Sequence, residues 1–319
     1  MSAAKSNTAT ATTVTAERGA APAGRGYIGR FAPSPSGDLH LGSLFTAVAS
    51  YLDARSHGGQ WLLRIEDLDT PRELKGAASR IVDTLAAFGF EWPEPVLRQS
   101  ARIAVYQNVI NELDRRGLIY RCRCSRRELR EEHRYPGTCR DKHWPPNTAA
   151  ALRLRVNAGM FHFEDSLQGS FRQDVALSVG DYILQRRDGI IAYALGVVVD
   201  DGEQGITHVV RGADLLDSTA RQIYLQRELN LPTPVYTHVP VLMEADGSKL
   251  AKSRRSIALD PQASGRQLCA VLALFGLPVP PNLHSAGLRS IWTWAEEHWK
   301  SSRLTRQLSV AVSAGPHLP

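Results

Sequence analysis

Hydrophobic spacing in this chain switches between short apolar runs and a period near 3.6. Tyr27–Ala32 reads as a strand. A turn punctuated by Pro and Gly follows through Gly37, and then a helix from about Leu41 to Ser56, with Leu44, Val48 and Leu52 on one face. Trp61–Ile65 reads as a second strand, running into the acidic stretch Glu66–Asp67–Leu68–Asp69. Glu73–Phe90 is amphipathic, with Ile81, Val82, Leu85 and Phe88 on one side. Alternation of this kind predicts an α/β fold on a parallel sheet.

Near Tyr120 the rhythm breaks into a Cys- and Arg-rich stretch, a Trp144–Pro145–Pro146 breaker and strand-like pieces such as Ala151–Val156, as expected of an inserted subdomain over 121–186. The parallel pattern resumes at Ile190–Val199 and Ile206–Val210, read as strands, followed by a helix Thr219–Leu229 and a strand Tyr236–Leu242. The two halves of the α/β layer are thus expected at 27–120 and 187–242, with a loop and a helical region over 243–319. Residues 1–26, built from Ala, Thr, Ser and Gly, are too poor in large apolar side chains to offset ordering entropy and read as a disordered tail. The tail lacks the apolar core of a secretory signal, while its scarcity of acids leaves an organelle transit peptide open.

The 43% hydrophobic and 22% charged residues are those of a soluble globular protein, and no apolar run reaches the roughly 18–20 residues needed to span a bilayer. Lys and Arg outnumber Asp and Glu by 38 to 32, a modest surplus compatible with nucleic acid or simply a solvated basic surface. Of the four cysteines, Cys122, Cys124 and Cys139 cluster while Cys269 stands alone in an apolar run. That spacing is no secreted disulfide pattern; it fits a reducing cytoplasm, a candidate metal site and one buried spectator.

Open α/β sheets bind ligands at the carboxyl ends of their strands, where loops and helix N-termini offer free N–H groups to anions. Pro33–Ser43 falls at such a place: its prolines stiffen the turn, Gly37 permits a tight bend, Gly42 would admit a flat base, and His40 offers a phosphate donor. Downstream, Asp246–Ser253 is a Gly-containing loop whose Lys249 and Lys252 could close over a triphosphate. Each segment alone is more often a cap or a solvated turn; their order on one predicted sheet is what gives them weight.

These two segments resemble the HIGH and KMSKS signatures of class I aminoacyl-tRNA synthetases. Arg30–Gly37, Leu63–Arg72 and Val210–Leu215 resemble blocks of the glutamyl branch, so that the likeness covers roughly residues 27–255. It implies a Rossmann-like catalytic domain, ATP with Mg²⁺ as co-substrate, and L-glutamate as the activated amino acid. The implied glutamate site comprises Arg30, Phe31, Ala32, Pro33, Ser34, Glu66, Tyr193 and Arg211, with Arg30, Tyr193 and Arg211 on the carboxylates and Glu66 on the ammonium. Cations facing two carboxylates and an anion facing one ammonium is the set that glutamate itself demands. The implied ATP contacts are His40, Gly42 and Lys252, and the implied catalytic set is His40, Ser43, Lys249 and Lys252. Two departures stand out: Ser43 replaces the second His of HIGH, and Ala251 lacks a hydroxyl often present in KMSKS. Altered nucleotide affinity, with activation retained, is the expectation.

Three cysteines leave a structural Zn²⁺ one ligand short, and His133, His143, Asp141 and Tyr135 all lie within reach in sequence. The segment Cys-x-Cys…Tyr–Pro–Gly–Thr–Cys–Arg resembles a short glutamyl-synthetase-like family in which tyrosine completes the site, which selects Cys122, Cys124, Tyr135 and Cys139. The short chain after Asp260 cannot hold a long helical anticodon-binding region. Together with the Ser34–Ser43 block it resembles the glutamyl-queuosine tRNA(Asp) synthetase family, implying glutamate transfer to the queuosine base in the tRNA(Asp) anticodon arm by a cytoplasmic monomer that contacts no membrane. A minimal tRNA(Glu)-charging enzyme and a non-catalytic tRNA-binding module are the alternatives.

Overall fold

The computed structural model describes residues 26–130, 132, 134–157, 159–244, 247 and 258–312. The tail expected over residues 1–26, apart from Gly26, lies outside the described residues, as do Lys249, Lys252, Ala251 and His133.

Strand β1 (Ile28–Phe31) leads into α1 (Leu41–Ser56), then β2 (Gln60–Ile65), α2 (Ala77–Ala87), β3 (Leu97–Arg98) and α3 (Ile103–Arg115). The middle of the chain supplies β4 (Ile119–Cys122), β5 (Ala151–Leu154), a hairpin of β6 (Met160–Asp165) and β7 (Gly169–Asp174), the single turn α4 (Val175–Ser178) and β8 (Ile183–Gln185). After these come α5 (Tyr193–Glu203), β9 (His208–Gly212), α6 (Thr219–Glu228), β10 (Val235–Val239), β11 (Val241–Met243), α7 (Ser264–Leu274), α8 (Leu288–His298) and β12 (Ser309–Ala311).

Strands β1, β2 and β3 are parallel, as are β9, β10 and the end of β6. The Thr207 N–H donates to the Ile28 carbonyl (2.9 Å) and the Ile28 N–H donates to Thr207 Oγ1 (2.8 Å), laying β9 beside β1. The result is one α/β layer of mainly parallel strands, extended at its edge by the antiparallel β6–β7 hairpin. Apolar side chains fill both faces. Leu44 and Leu52 of α1 pack with Leu268 and Ile291 of α7 and α8, whereas Tyr106, Leu195 and Ile223 of α3, α5 and α6 anchor a second cluster. Strands β4, β5 and β8 form a separate antiparallel sheet.

Three expected elements differ. Ile190–Val199, expected as a strand, is mostly the helix α5. A short apolar run carries too little periodicity to choose between the two, and here Asp200 and Asp201 must turn inward with it. Tyr236–Leu242 is divided into β10 and β11 at Pro240, which has no N–H to continue a ladder. Helix α2 starts only after Gly76, whose φ of +77° marks the turn.

Candidate active site

The loop Pro33–Gly37 leaves β1 and folds against the end of β2, where the Glu66 N–H donates to the Pro33 carbonyl (3.0 Å). Beyond it His40 caps α1. Its Nδ1 accepts the Ser43 N–H at 3.3 Å and its Nε2 lies 3.2 Å from Ser43 Oγ. An Nδ1 that accepts leaves the ring proton of the neutral tautomer on Nε2, and burial, by lowering the pKa of His40, favours that neutral form. Nε2–H is therefore a donor that an incoming phosphate oxygen can take over from Ser43. Gly42 has a steric role: a Cβ there would meet His40 Cε1 at 3.1 Å and Nδ1 at 3.2 Å.

A cavity of about 680 Å³ opens over this helix start, lined by Phe31, Pro33, Ser34, His40, Gly42 and Ser43 on one side and by Gly212, Leu215, Leu242 and Ala258 on the other. Ala258 pairs with His40 in an antiparallel bridge, and the Leu259 N–H donates to the Leu39 carbonyl (2.9 Å). The chain on both sides of the lysine loop thus borders the cavity.

Next to it lies a buried cluster of charges. Arg30 Nε donates to Asp201 Oδ1 (3.2 Å). Arg64, fully buried, donates to the same oxygen (2.8 Å), to Glu66 Oε1 (3.3 Å) and to Gln204 Oε1 (2.7 Å). Burial pushes the Glu66 carboxyl above its ordinary range; Arg64 and Arg30 oppose the shift without cancelling it. Asp201 is also buried, but Arg30 and Arg64 outweigh that and hold it below the usual carboxylate value. Arg211 donates to Gln222 Oε1 (2.8 Å), Thr219 Oγ1 (2.9 Å) and His238 Nε2 (2.9 Å), and its guanidinium lies over the Tyr236 ring. His238 Nε2 accepts, so its Nδ1 carries the proton and donates to Asp165 (2.6 Å). Tyr193, 38% exposed, stands at the first turn of α5 within electrostatic reach of Glu66, Arg211, Arg30 and Asp201.

In the antiparallel unit, the Sγ atoms of Cys122, Cys124 and Cys139 lie within 4.8 Å of one another, with Cys124 and Cys139 3.6 Å apart. Tetrahedral Zn–S bonds of about 2.3 Å place sulfurs about 3.8 Å apart, so the donor set fits zinc. Tyr135 Oη sits 3.3 Å from Cys122 Sγ and 3.8 Å from Cys124 Sγ, and accepts the Cys139 N–H at 2.8 Å. His143 is exposed, and Asp141 faces Arg155 instead. Burial raises the Cys139 thiol, but the Arg123 backbone N–H and the neighbouring thiol bring it down to about 7. Cys269 is buried and free.

Residues 28–275 match the family described as tRNA synthetases class I (E and Q), catalytic domain. A glutamyl-Q tRNA(Asp) synthetase of Ectopseudomonas mendocina is 50% identical over 89% of this chain and 97% of its own length; one of Dechloromonas aromatica is 48% identical over 90% and 99%. The chain belongs to the class I glutamyl and glutaminyl synthetase family, in its glutamyl-Q tRNA(Asp) synthetase branch. A glutamate tRNA ligase from Elizabethkingia meningosepticum, solved with its amino acid, shares the fold at a TM-score of 0.74 and 22% identity, covering 91% of this chain and 68% of that one.

Arg30, Glu66, Tyr193 and Arg211 of this synthetase are brought together, and Pro33, Ser34, His40, Gly42 and Ser43 line the neighbouring cavity. Phe31 also reaches that cavity, although its ring mostly serves the core, stacked on Trp61. Ala32 is half-buried between these neighbours. Sequence reasoning missed Arg64, Asp201, His238 and Asp165. Arg64 lay in a quoted block, but charges held at 0–7% exposure across more than 70 residues leave no local signal except their placement in apolar runs.

Proposed function

We propose that this synthetase activates L-glutamate with ATP and transfers it to the queuosine base of tRNA(Asp). The supporting observation is the opposed charge set, Arg30 and Arg211 against Glu66, gathered beside the His40 cavity. In activation, the glutamate α-carboxylate oxygen attacks the ATP α-phosphorus; the bond to pyrophosphate breaks and its electron pair leaves with pyrophosphate, which Mg²⁺ accompanies. His40 Nε2–H, together with Lys249 and Lys252, neutralises phosphate charge, while Arg30, Tyr193 and Arg211 hold the carboxylates and Glu66 the ammonium. In transfer, a queuosine hydroxyl oxygen attacks the glutamyl carbonyl carbon. An ester forms, the acyl–phosphate bond breaks, AMP departs with the electron pair and the hydroxyl proton passes to solvent. Cys122, Cys124, Cys139 and Tyr135 would hold a structural Zn²⁺ that fixes the unit built on β4, β5 and β8, while β6 and β7, also within the expected insert 121–186, pair with the main sheet. Among the described residues no helix is long and apolar enough to cross a membrane. The unpaired cysteines support our reading of a cytoplasmic enzyme.

The test is glutamylation with labelled glutamate of four tRNA(Asp) samples: with or without queuosine, and with or without the 3′-terminal adenosine. Label should require queuosine and survive loss of that adenosine. Label that ignores queuosine and needs the adenosine makes the protein a charging enzyme instead.

A further inference from the structure

Arg211, proposed above to hold a glutamate carboxylate, is buried, yet none of the ion pairs among the described residues includes it. Its acceptors are all uncharged. Nε donates to His238 Nε2 (2.9 Å), Nη1 to Gln222 Oε1 (2.8 Å), and Nη2 to Thr219 Oγ1 (2.9 Å) and the Leu215 carbonyl (3.4 Å). The Tyr236 ring, 5.1 Å from the guanidinium carbon, offers a negative face without a carboxylate. Arg30 differs: Asp201 Oδ1 lies 3.2 Å from its Nε and takes up part of its charge.

Two details show that an acid is kept off Arg211. Gln222, itself buried, turns its oxygen to the guanidinium and leaves Nε2 without a partner among the described residues. A glutamate of the same shape would pair with the guanidinium and carry no orphan donor. An acid does stand nearby, but one imidazole away: Asp165 Oδ2 accepts from His238 Nδ1 at 2.6 Å. The backbone N–H groups of Leu167 and Gln168 donate to Asp165 Oδ1 (3.1 and 2.8 Å) and fix the carboxylate. On the other side of the ring the Thr219 hydroxyl lies 3.3 Å from His238 Nε2, a second donor to that nitrogen. Burial lowers the pKa of His238, with Asp165 opposing and Arg211 assisting, which favours the neutral ring.

Glutamate and glutamine have nearly the same shape and differ at neutral pH by one charge, so a cation not already neutralised is what separates them. We infer that His238, Gln222 and Thr219 form an uncharged cage that positions Arg211 and keeps its charge for the substrate's side-chain carboxylate, with Asp165 holding His238 in the accepting tautomer. The inference rests on the proposed activation of glutamate and deepens it. His238, Gln222, Thr219 and Asp165 are positioning residues that set the preference for a dicarboxylic amino acid through Arg211.

The test measures, with the full-length enzyme, binding of glutamyl- and glutaminyl-sulfamoyl-adenosine, unreactive adenylate mimics that differ only at the side-chain carboxylate. Gln222→Glu places a carboxylate on Arg211 at nearly constant volume; the glutamyl mimic should weaken by about 10–100-fold and the glutaminyl mimic by less than about threefold. Asp165→Asn should act in the same direction by about tenfold, because an amide Nδ2 in place of Oδ2 makes His238 Nδ1 accept and turns an Nε2–H against Arg211. His238→Leu should lose the glutamyl preference, and His238→Gln, which restores an uncharged acceptor, should recover most of it. If the parent prefers the glutamyl mimic and either Gln222→Glu or Asp165→Asn keeps that preference, the inference is overturned and glutamate activation stands. Equal weakening of both mimics would leave these residues a purely structural role and overturns it too. A parent that does not prefer the glutamyl mimic defeats the proposed activation of glutamate, and this inference with it.

Discussion

Glu66 is buried, and its carboxyl is held above the usual range by desolvation that Arg64 and Arg30 only partly offset. An ammonium ligand needs it ionised. As pH falls through that raised value the proton removes the charge, so the KM for glutamate in pyrophosphate exchange should climb on the acid side and be level above it. Glu66→Gln should raise KM by about 10–100-fold, the range for a charge-assisted hydrogen bond, and flatten the acid limb. An acid limb that persists in the variant would assign the titration elsewhere. Arg64 makes a stability prediction. Arg64→Met takes from buried Glu66 its hydrogen-bonded cation and leaves buried Asp201 with Arg30 alone, and urea unfolding should show a loss of about 3–5 kcal/mol. Arg30, Glu66 and Arg211 were legible in sequence because each adjoins a recognisable block at a strand end. Asp201 and His238 were not, since their partners lie 137 and 73 residues away in Arg64 and Asp165.

The start of α1 shows how one element builds chemistry from its own backbone. The Ser43 N–H fixes the His40 tautomer, and the missing Cβ of Gly42 leaves room for the ring. Gly42→Ala would push a methyl against His40 Cε1, so pyrophosphate exchange should slow about tenfold while the melting temperature, set by packing elsewhere on α1, shifts little; an unchanged rate would remove His40 from phosphate binding. In the antiparallel unit, Tyr135→Phe removes the hydroxyl that lies among the thiols and keeps the ring under Arg153. Zinc titrated against a chromophoric chelator should dissociate more readily from this variant, by about 10–100-fold, and tRNA transfer should suffer more than adenylate formation. Equal zinc retention would exclude tyrosine as the fourth ligand. The helix α1 was legible because its apolar residues recur over four turns. Helix α5 was not: Tyr193–Val199 is a brief apolar run, and only packing decides that it coils and turns Asp200 and Asp201 inward.

Across the whole molecule the formal charge of +6 is too small to identify RNA as a partner, but its distribution is uneven. The stretch 121–140 holds seven arginines and three glutamates, whereas Arg30, Arg64, Glu66 and Asp201 are buried and paired with one another. Screening acts on exposed charge at distances of about 10 Å in 0.1 M salt and far less on buried pairs, so added salt should separate the two half-reactions. The KM for tRNA should rise steeply with potassium chloride, while the KM for glutamate in pyrophosphate exchange hardly moves. Replacing Arg126 and Arg127 together with alanine should reduce the slope of log KM against log salt by about 1.4–1.8, since each lost phosphate contact removes about 0.7–0.9 from it. Both side chains are exposed and neither forms an ion pair with an acidic side chain among the described residues, so the fold should be indifferent to their loss. A slope that stays at the parent value would move the RNA path off this segment.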